Sequence, residues 1–248
     1  MNSLSFCDFS PSQEETVYEL LGQTFETSPT ELKYFYQKLQ DDFTYGGWPL
    51  PIYAERRFFS SLDQRFQPTY EQAPIVACDL PSLLSRGGQK LVMIVAQDAL
   101  SNEPTLDKVR LGTPYAMHLK QCREEIHNTR RYFQMIDVLL RHGYQVYLTD
   151  LYKIYVGGVS LKRKDRKRFR TILEQEVEQL KPAAAITWGR PARIAVEKLR
   201  RNLTTELSHY DYPHPAAPWA WARRMGIKAT HENVLAYWQK ALSEQLDF

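Results

Sequence analysis

Three places in this sequence set reactive side chains where an apolar or rigid stretch stops. The run Leu91–Val95 leads into Ala96-Gln97-Asp98, the run from Tyr144 leads into Thr149-Asp150, and His214 stands between Pro213 and Pro215. A carboxylate such as Asp98 can orient a water molecule and favour a developing positive centre. Gln97 adds a backbone N–H and a carboxamide that can bind a polar ligand edge. A neutral histidine can donate to an oxygen that gains negative charge, and flanking prolines stiffen the loop that carries it. Taken singly, each is ordinary: Gln and Asp after a strand are common turn or N-cap residues, and a lone loop histidine usually bonds to backbone. It is their succession along the chain that points to a site. The six histidines show no HxH or HExxH spacing, and Cys7, Cys78 and Cys122 no CxxC spacing. Neither a metal nor an organic cofactor is therefore expected.

The elements that must position these groups are legible in the pattern. Four short apolar runs, 90–96, 144–150, 183–188 and, less clearly, 205–210, alternate with helical stretches at about 118–142, 164–180 and 190–201. The middle helix carries Phe169, Ile172, Leu173, Val177 and Leu180 on one face. Such alternation predicts a three-layer α/β/α fold around a central, mostly parallel four-stranded sheet. In an open sheet of this kind the carboxyl ends of the strands face the ligand crevice, and all four runs end in polar or strained residues. Residues 1–88 read as an N-terminal helical extension packed on an α/β domain of residues 89–248. Ser12 with Glu15 suggests one capping box there, Ser28 or Thr30 a second N-cap, and "YGGWPLP" a helix break.

Bulk properties bound the class. The 248 residues, 43% of them hydrophobic, suffice for one sizeable core. A net charge of +3 permits a nucleic-acid partner without demanding one. Sparse, unpaired cysteines fit a reducing cytoplasm, and the start "MNSLSFCDFS" lacks the basic and long apolar stretches of a signal peptide. No run approaches the length of a membrane span, so no membrane partner is expected; the chain is also expected to act as a monomer.

The four strand ends, in their order, resemble the uracil-DNA glycosylase superfamily. Ala96-Gln97-Asp98 resembles its Gly-Gln-Asp-Pro water-activating motif, and "YLTDLYKIYV" its Ile-Thr-Asn-Val-Val-Lys segment. "LKPAAAITWGRPA" is similar to its third strand and turn, and "YPHPAAPWAW" to its His-Pro-Ser-Pro loop. The resemblance is loose before residue 88, where the helix "ELKYFYQKLQ" and the Trp48-to-Pro51 stretch match family positions, and in sequential register after it. It implies hydrolysis of the N-glycosidic bond of uracil or a related base flipped out of DNA. Asp98 would orient water, His214 would stabilise the leaving base, Gln97 would touch the base edge, and Tyr115 would stack on it. A second reading on the same fold is a catalytically silent DNA-binding or processivity module; a third is a small-molecule hydrolase using the same crevice.

Departures bear on the substrate. Ala99 replaces the proline after Gln-Asp, and Ala216 the serine after His-Pro. Where an apolar wedge is expected stand Pro218 and Trp219, with Trp221 beyond; Arg223 and Arg224 follow and could reach phosphates. The basic run "SLKRKDRKRFR", with Lys162 and Arg163, is either a solvated helix face or a DNA approach, and Tyr152 and Lys153 fall nearer the pocket. Asp150 stands where uracil-reading members carry Asn. An ionised aspartate only accepts hydrogen bonds. It can mimic Asn by staying protonated, it can prefer an exocyclic amine, or Thr149 can be the inward residue instead. The expectation is that Asp150 faces the base.

Overall fold

The computed structural model describes residues 3–46, 52–70, 75–99, 107–157 and 159–246. The Trp48-to-Pro51 stretch lies outside them. In chain order the regular elements are β1 (Ser5–Phe6), α1 (Pro11–Phe25), α2 (Pro29–Tyr45), β2 (Ile52–Glu55), α3 (Ser60–Tyr70), β3 (Ile75–Asp79), β4 (Ser82–Ser85), β5 (Lys90–Asp98) and β6 (Lys108–Gly112). They continue with α4 (Lys120–Glu124), α5 (His127–Arg141), β7 (Tyr144–Tyr152), β8 (Ile154–Val156), α6 (Arg163–Leu180), β9 (Ala184–Trp188), α7 (Arg190–Leu199), β10 (Ser208–Tyr212), α8 (Pro218–Met225) and α9 (His231–Gln245).

Side-chain caps set the first two helices. Ser10 Oγ accepts from the Gln13 N–H while Gln13 Oε1 accepts from the Ser10 N–H, so this box lies two residues before the expected Ser12–Glu15 pair. Pro11 at the first helical position presets φ there. Of the two candidates for the second helix, Ser28 is the cap, with Glu31 as its partner. The helix expected over 118–142 divides into α4 and α5 where Ile126 takes an extended backbone, φ −71° and ψ 113°.

The fold is α/β with mixed sheets. The larger sheet has the order β1-β4-β7-β5-β9-β10. Strands β7, β5, β9 and β10 run parallel, and the apolar residues of β5, β7 and β9 are covered on both faces. The expected four-stranded sheet is thus a six-stranded one, because β4 pairs antiparallel on the edge of β7 and β1 on β4. A run as short as Ser82–Ser85 carries little periodicity, yet it removes an exposed edge from β7. The last strand is Ser208–Tyr212 rather than 205–210.

A second sheet, β2-β6-β3-β8, has no counterpart in the sequence reading. The region expected to be helical and loop-like therefore supplies strands to both sheets. Strands β3 and β4 are consecutive but lie in different sheets, and so do β7 and β8. The small sheet consequently stands over the carboxyl ends of β5 and β7. Tyr147 and Thr149 reach Glu176 of α6, so Val146, Leu148 and Asp150 between and beside them take the other face of β7, the one covered by α5. Helices α6 and α7 cover one face; α5 and α9, tied by Trp238 Nε1 donating to Met135 O at 2.8 Å, cover the other. Among the described residues no helix is long and apolar enough to cross a membrane.

Candidate active site

The ends of β5 and β7, the turn after β6 and the loop after β10 converge on a cavity of about 780 Å³. Gln97, Asp98, Tyr115, Asp150 and His214, which are distant in sequence, all line it. The small sheet adds Asp79 and Arg110, and α5 adds Tyr132. Such a volume sits within the roughly 300–1,000 Å³ of ordinary ligand sites.

Strand alternation decides which residue of Thr149-Asp150 faces this cavity. Thr149 is buried on the α6 side, its Oγ1 3.4 Å from Glu176 Oε1, and it does not join the site. Asp150 points the other way and is 2% exposed. Beneath it lies an ion pair with both side chains 0% exposed, Lys153 Nζ to Glu176 Oε2 at 2.8 Å. Lys153 Nζ also donates to Asp150 O at 3.0 Å, so the pair anchors the backbone that carries the carboxyl. Lys153 is therefore a support beneath the pocket, not a group open to a ligand.

The charge states follow from enclosure. Burial first, and the neighbouring Asp79 second, push Asp150 well above the carboxylate range. Burial lifts Asp79 to about 6, against the hydrogen bond with Asp150 and the Arg110 charge. Near neutral pH the two carboxyls therefore share a proton, held by Asp150. Asp98 is open to solvent at the cavity mouth; partial enclosure still raises it, opposed by Gln97 Nε2 donating to Asp98 Oδ2 at 3.2 Å.

Burial lowers His214, which is neutral at pH 7. The Ala216 N–H donates to its Nδ1 at 3.2 Å, so the ring proton sits on Nε2. Trp221 Nε1 donates to His214 O at 3.1 Å and fixes the loop from below. Gly189, at φ +96°, makes the turn after β9 that the loop crosses, with His214 Cβ 3.6 Å from where a Cβ would stand.

Tyr115 closes the pocket. It and Ala116 both have left-handed backbones, φ 58° and 54°, a strain of about 1–3 kcal/mol each. That geometry lays the Tyr115 ring on Tyr132, centroids 4.0 Å apart and planes 14° from parallel. It also brings the Tyr115 hydroxyl 3.2 Å from His214 Nε2.

Two grooves join the cavity at Gln97. One passes Asp98, Tyr152, Ser160 and Arg166. The other runs between α7 and α8, past Arg190, Arg193, Trp219 and Arg223 to His214. Trp219 is 73% exposed there, and Pro218 starts α8. Trp221, expected on the surface, is 0% exposed: two positions along α8 turn the chain from an outward tryptophan to a core-facing one. Arg224 is committed to its own chain, donating to Asp211 O at 2.6 Å and lying over the Tyr212 ring. Lys162 caps and Arg163 begins α6, and neither lines the cavity; of their basic run it is Arg166 that lines the groove shared with Asp98. Phe169 and Asp165 of that run are buried, the latter accepting from the Tyr70 hydroxyl at 2.7 Å.

The sequence reading missed Asp79, Arg110 and Tyr132. The signal for Asp79 was present, since "IVACDL" is another apolar run ending in a carboxylate. Among the described residues no group of three His, Cys, Asp or Glu side chains is placed to hold a metal ion. No protein-family model matches this chain, and no curated protein matches it either.

Proposed function

We propose that the protein is a DNA glycosylase that hydrolyses the N-glycosidic bond of a damaged or modified base flipped out of the duplex, acting as a monomer in the cytoplasm. The observation that carries the reading is the convergence of Asp98, His214, Asp150 and the Tyr115 ring on one cavity entered from two arginine-bearing grooves. A strand following the grooves would meet Arg166 on one side and Arg190, Arg193 and Arg223 on the other, with Gln97 at the junction. Exposed Trp219 has the size to fill the gap that a flipped nucleotide leaves.

The chemistry assigns each group a step. The base enters the cavity against the Tyr115 and Tyr132 rings. Asp98 orients a water towards the anomeric carbon and offsets the positive charge that grows on the sugar. The carbon–nitrogen bond breaks, its electron pair leaves with the base, and the water oxygen bonds to the carbon as its proton passes to the Asp98 carboxylate. His214, its proton held on Nε2, exchanges the Tyr115 hydroxyl for the base oxygen that gains negative charge and donates a hydrogen bond to it.

One observation favours the silent DNA-binding module: the Tyr115 hydroxyl already takes His214 Nε2. Oligonucleotides carrying one uracil or one other altered base, treated with alkali after incubation, separate the two. Excision that falls by about 10²–10³-fold in Asp98→Asn and in His214→Ala supports the glycosylase. Parent-rate excision by both variants sinks the site assignment, and tight binding without abasic product on any base favours the module.

A further inference from the structure

Asp79 and Asp150 belong to different sheets and meet on the cavity wall. Asp79 ends β3 of the small sheet, and Asp150 lies near the end of β7 in the large one. Their approach is built into the backbone around them. The Asp79 N–H donates to Lys153 O at 3.0 Å, and Lys153 Nζ holds the Asp150 carbonyl. Gly112 lines the opposite side of Asp79 so closely that a Cβ there would lie 2.7 Å from Asp79 Oδ1, so a side chain at 112 would drive the carboxyl away.

Two features of this pair point to a ligand. Asp150 is 2% exposed, and apart from the proton it shares with Asp79 no N–H, hydroxyl or cationic group among the described residues meets its Oδ2. The nearby cation, Lys153, spends its ammonium on Glu176 and on a carbonyl. A buried carboxyl oxygen without a donor costs on the order of 1–3 kcal/mol unless something supplies one. We propose that Asp79 and Asp150 together read the edge of the bound base, and that they select a base presenting an exocyclic amino group there. This rests on the reading of the cavity as a base pocket.

The selection follows from counting donors. One proton lies between the two carboxyls, so the oxygens turned to the cavity accept and do not donate. An amino group, as on cytosine or adenine, brings two N–H bonds to two acceptors. Uracil or thymine brings a carbonyl oxygen to the same place and sets lone pair against lone pair. Matching one such contact is worth about tenfold to a hundredfold in affinity. Asparagine in place of Asp150 restores a donor and removes the discrimination.

The test measures binding of free bases to the intact chain by calorimetry or by chemical-shift titration at neutral pH, independent of any excision. Wild type is expected to bind cytosine or adenine at least about tenfold more tightly than uracil and thymine. Asp150→Asn is expected to shift the preference towards uracil, and Asp79→Asn to weaken it. Equal or tighter binding of uracil by wild type overturns the proposal whether or not the variants fold. So does an amino preference that survives both substitutions, or no binding of any base at millimolar concentration. Amino-selective binding without excision of any base would support this proposal while sinking the hydrolase reading.

Discussion

Replacing Asp79 with asparagine is expected to stabilise the protein at neutral pH and not in acid. Asp79 rises from 3.8 to about 6 on folding, chiefly through burial. A carboxyl raised in the folded state holds there a proton that the unfolded chain releases earlier. Its contribution is complete below the unfolded value and is lost as pH climbs through the folded one, here between 3.8 and about 6. At about 1.4 kcal/mol per unit the loss has a ceiling of about 3 kcal/mol, reduced by the solvent that reaches Asp79 from the cavity. Asp150, raised well above its ordinary range, extends the fall to higher pH. The exchange is nearly isosteric, so it fits the close approach of Gly112; it also gives Asp150 a donor and removes the like charge beside it. Urea unfolding of parent and variant across the acid-to-neutral range reads the effect. The two stabilities should coincide near pH 4 and diverge in favour of the variant, by up to about 3 kcal/mol, by about pH 7.5. A gap that is independent of pH, or a variant less stable at neutral pH, would refute the shared-proton account.

Three further outcomes are expected. Trp219→Ala should weaken retention on abasic DNA more than on undamaged duplex in a gel-shift titration, since a wedge acts only when a base is out of the stack; equal weakening would make Trp219 a general contact. Trp221→Ala should lower unfolding free energy by about 3–5 kcal/mol in denaturant titration, because the ring is wholly buried and its Nε1 holds the His214 loop. Lys153→Met should cost about 3–5 kcal/mol by leaving Glu176 charged and buried, and the double change with Glu176→Met should recover most of it; an additive double variant would show that the pair does not act as a unit.

The sequence by itself determined what depends on short-range pattern. The apolar runs at 90–96 and 144–150 read as buried strands between helices, since their neighbours alternate with helical periodicity. That pattern also marked Gln97, Asp98, Asp150 and His214 as strand-end or loop groups, and these now line one cavity. What the pattern could not decide is which side of a strand each residue takes, because period-two alternation is symmetric until a helix covers one face. Only the packing of α6 against β7 turned Thr149 towards Glu176 and Asp150 towards the cavity. The same holds for α8, where Trp219 and Trp221 are equally apolar in sequence and only the core beneath the helix makes one exposed and the other buried. The small sheet was illegible for a related reason. Its strands are short, its pairings join segments far apart in the chain, and no local rule brings Asp79 of β3 against Asp150 of β7. Contacts of that span are set by which sheet edges remain to be paired once the core has formed, and that is a property of the assembled molecule.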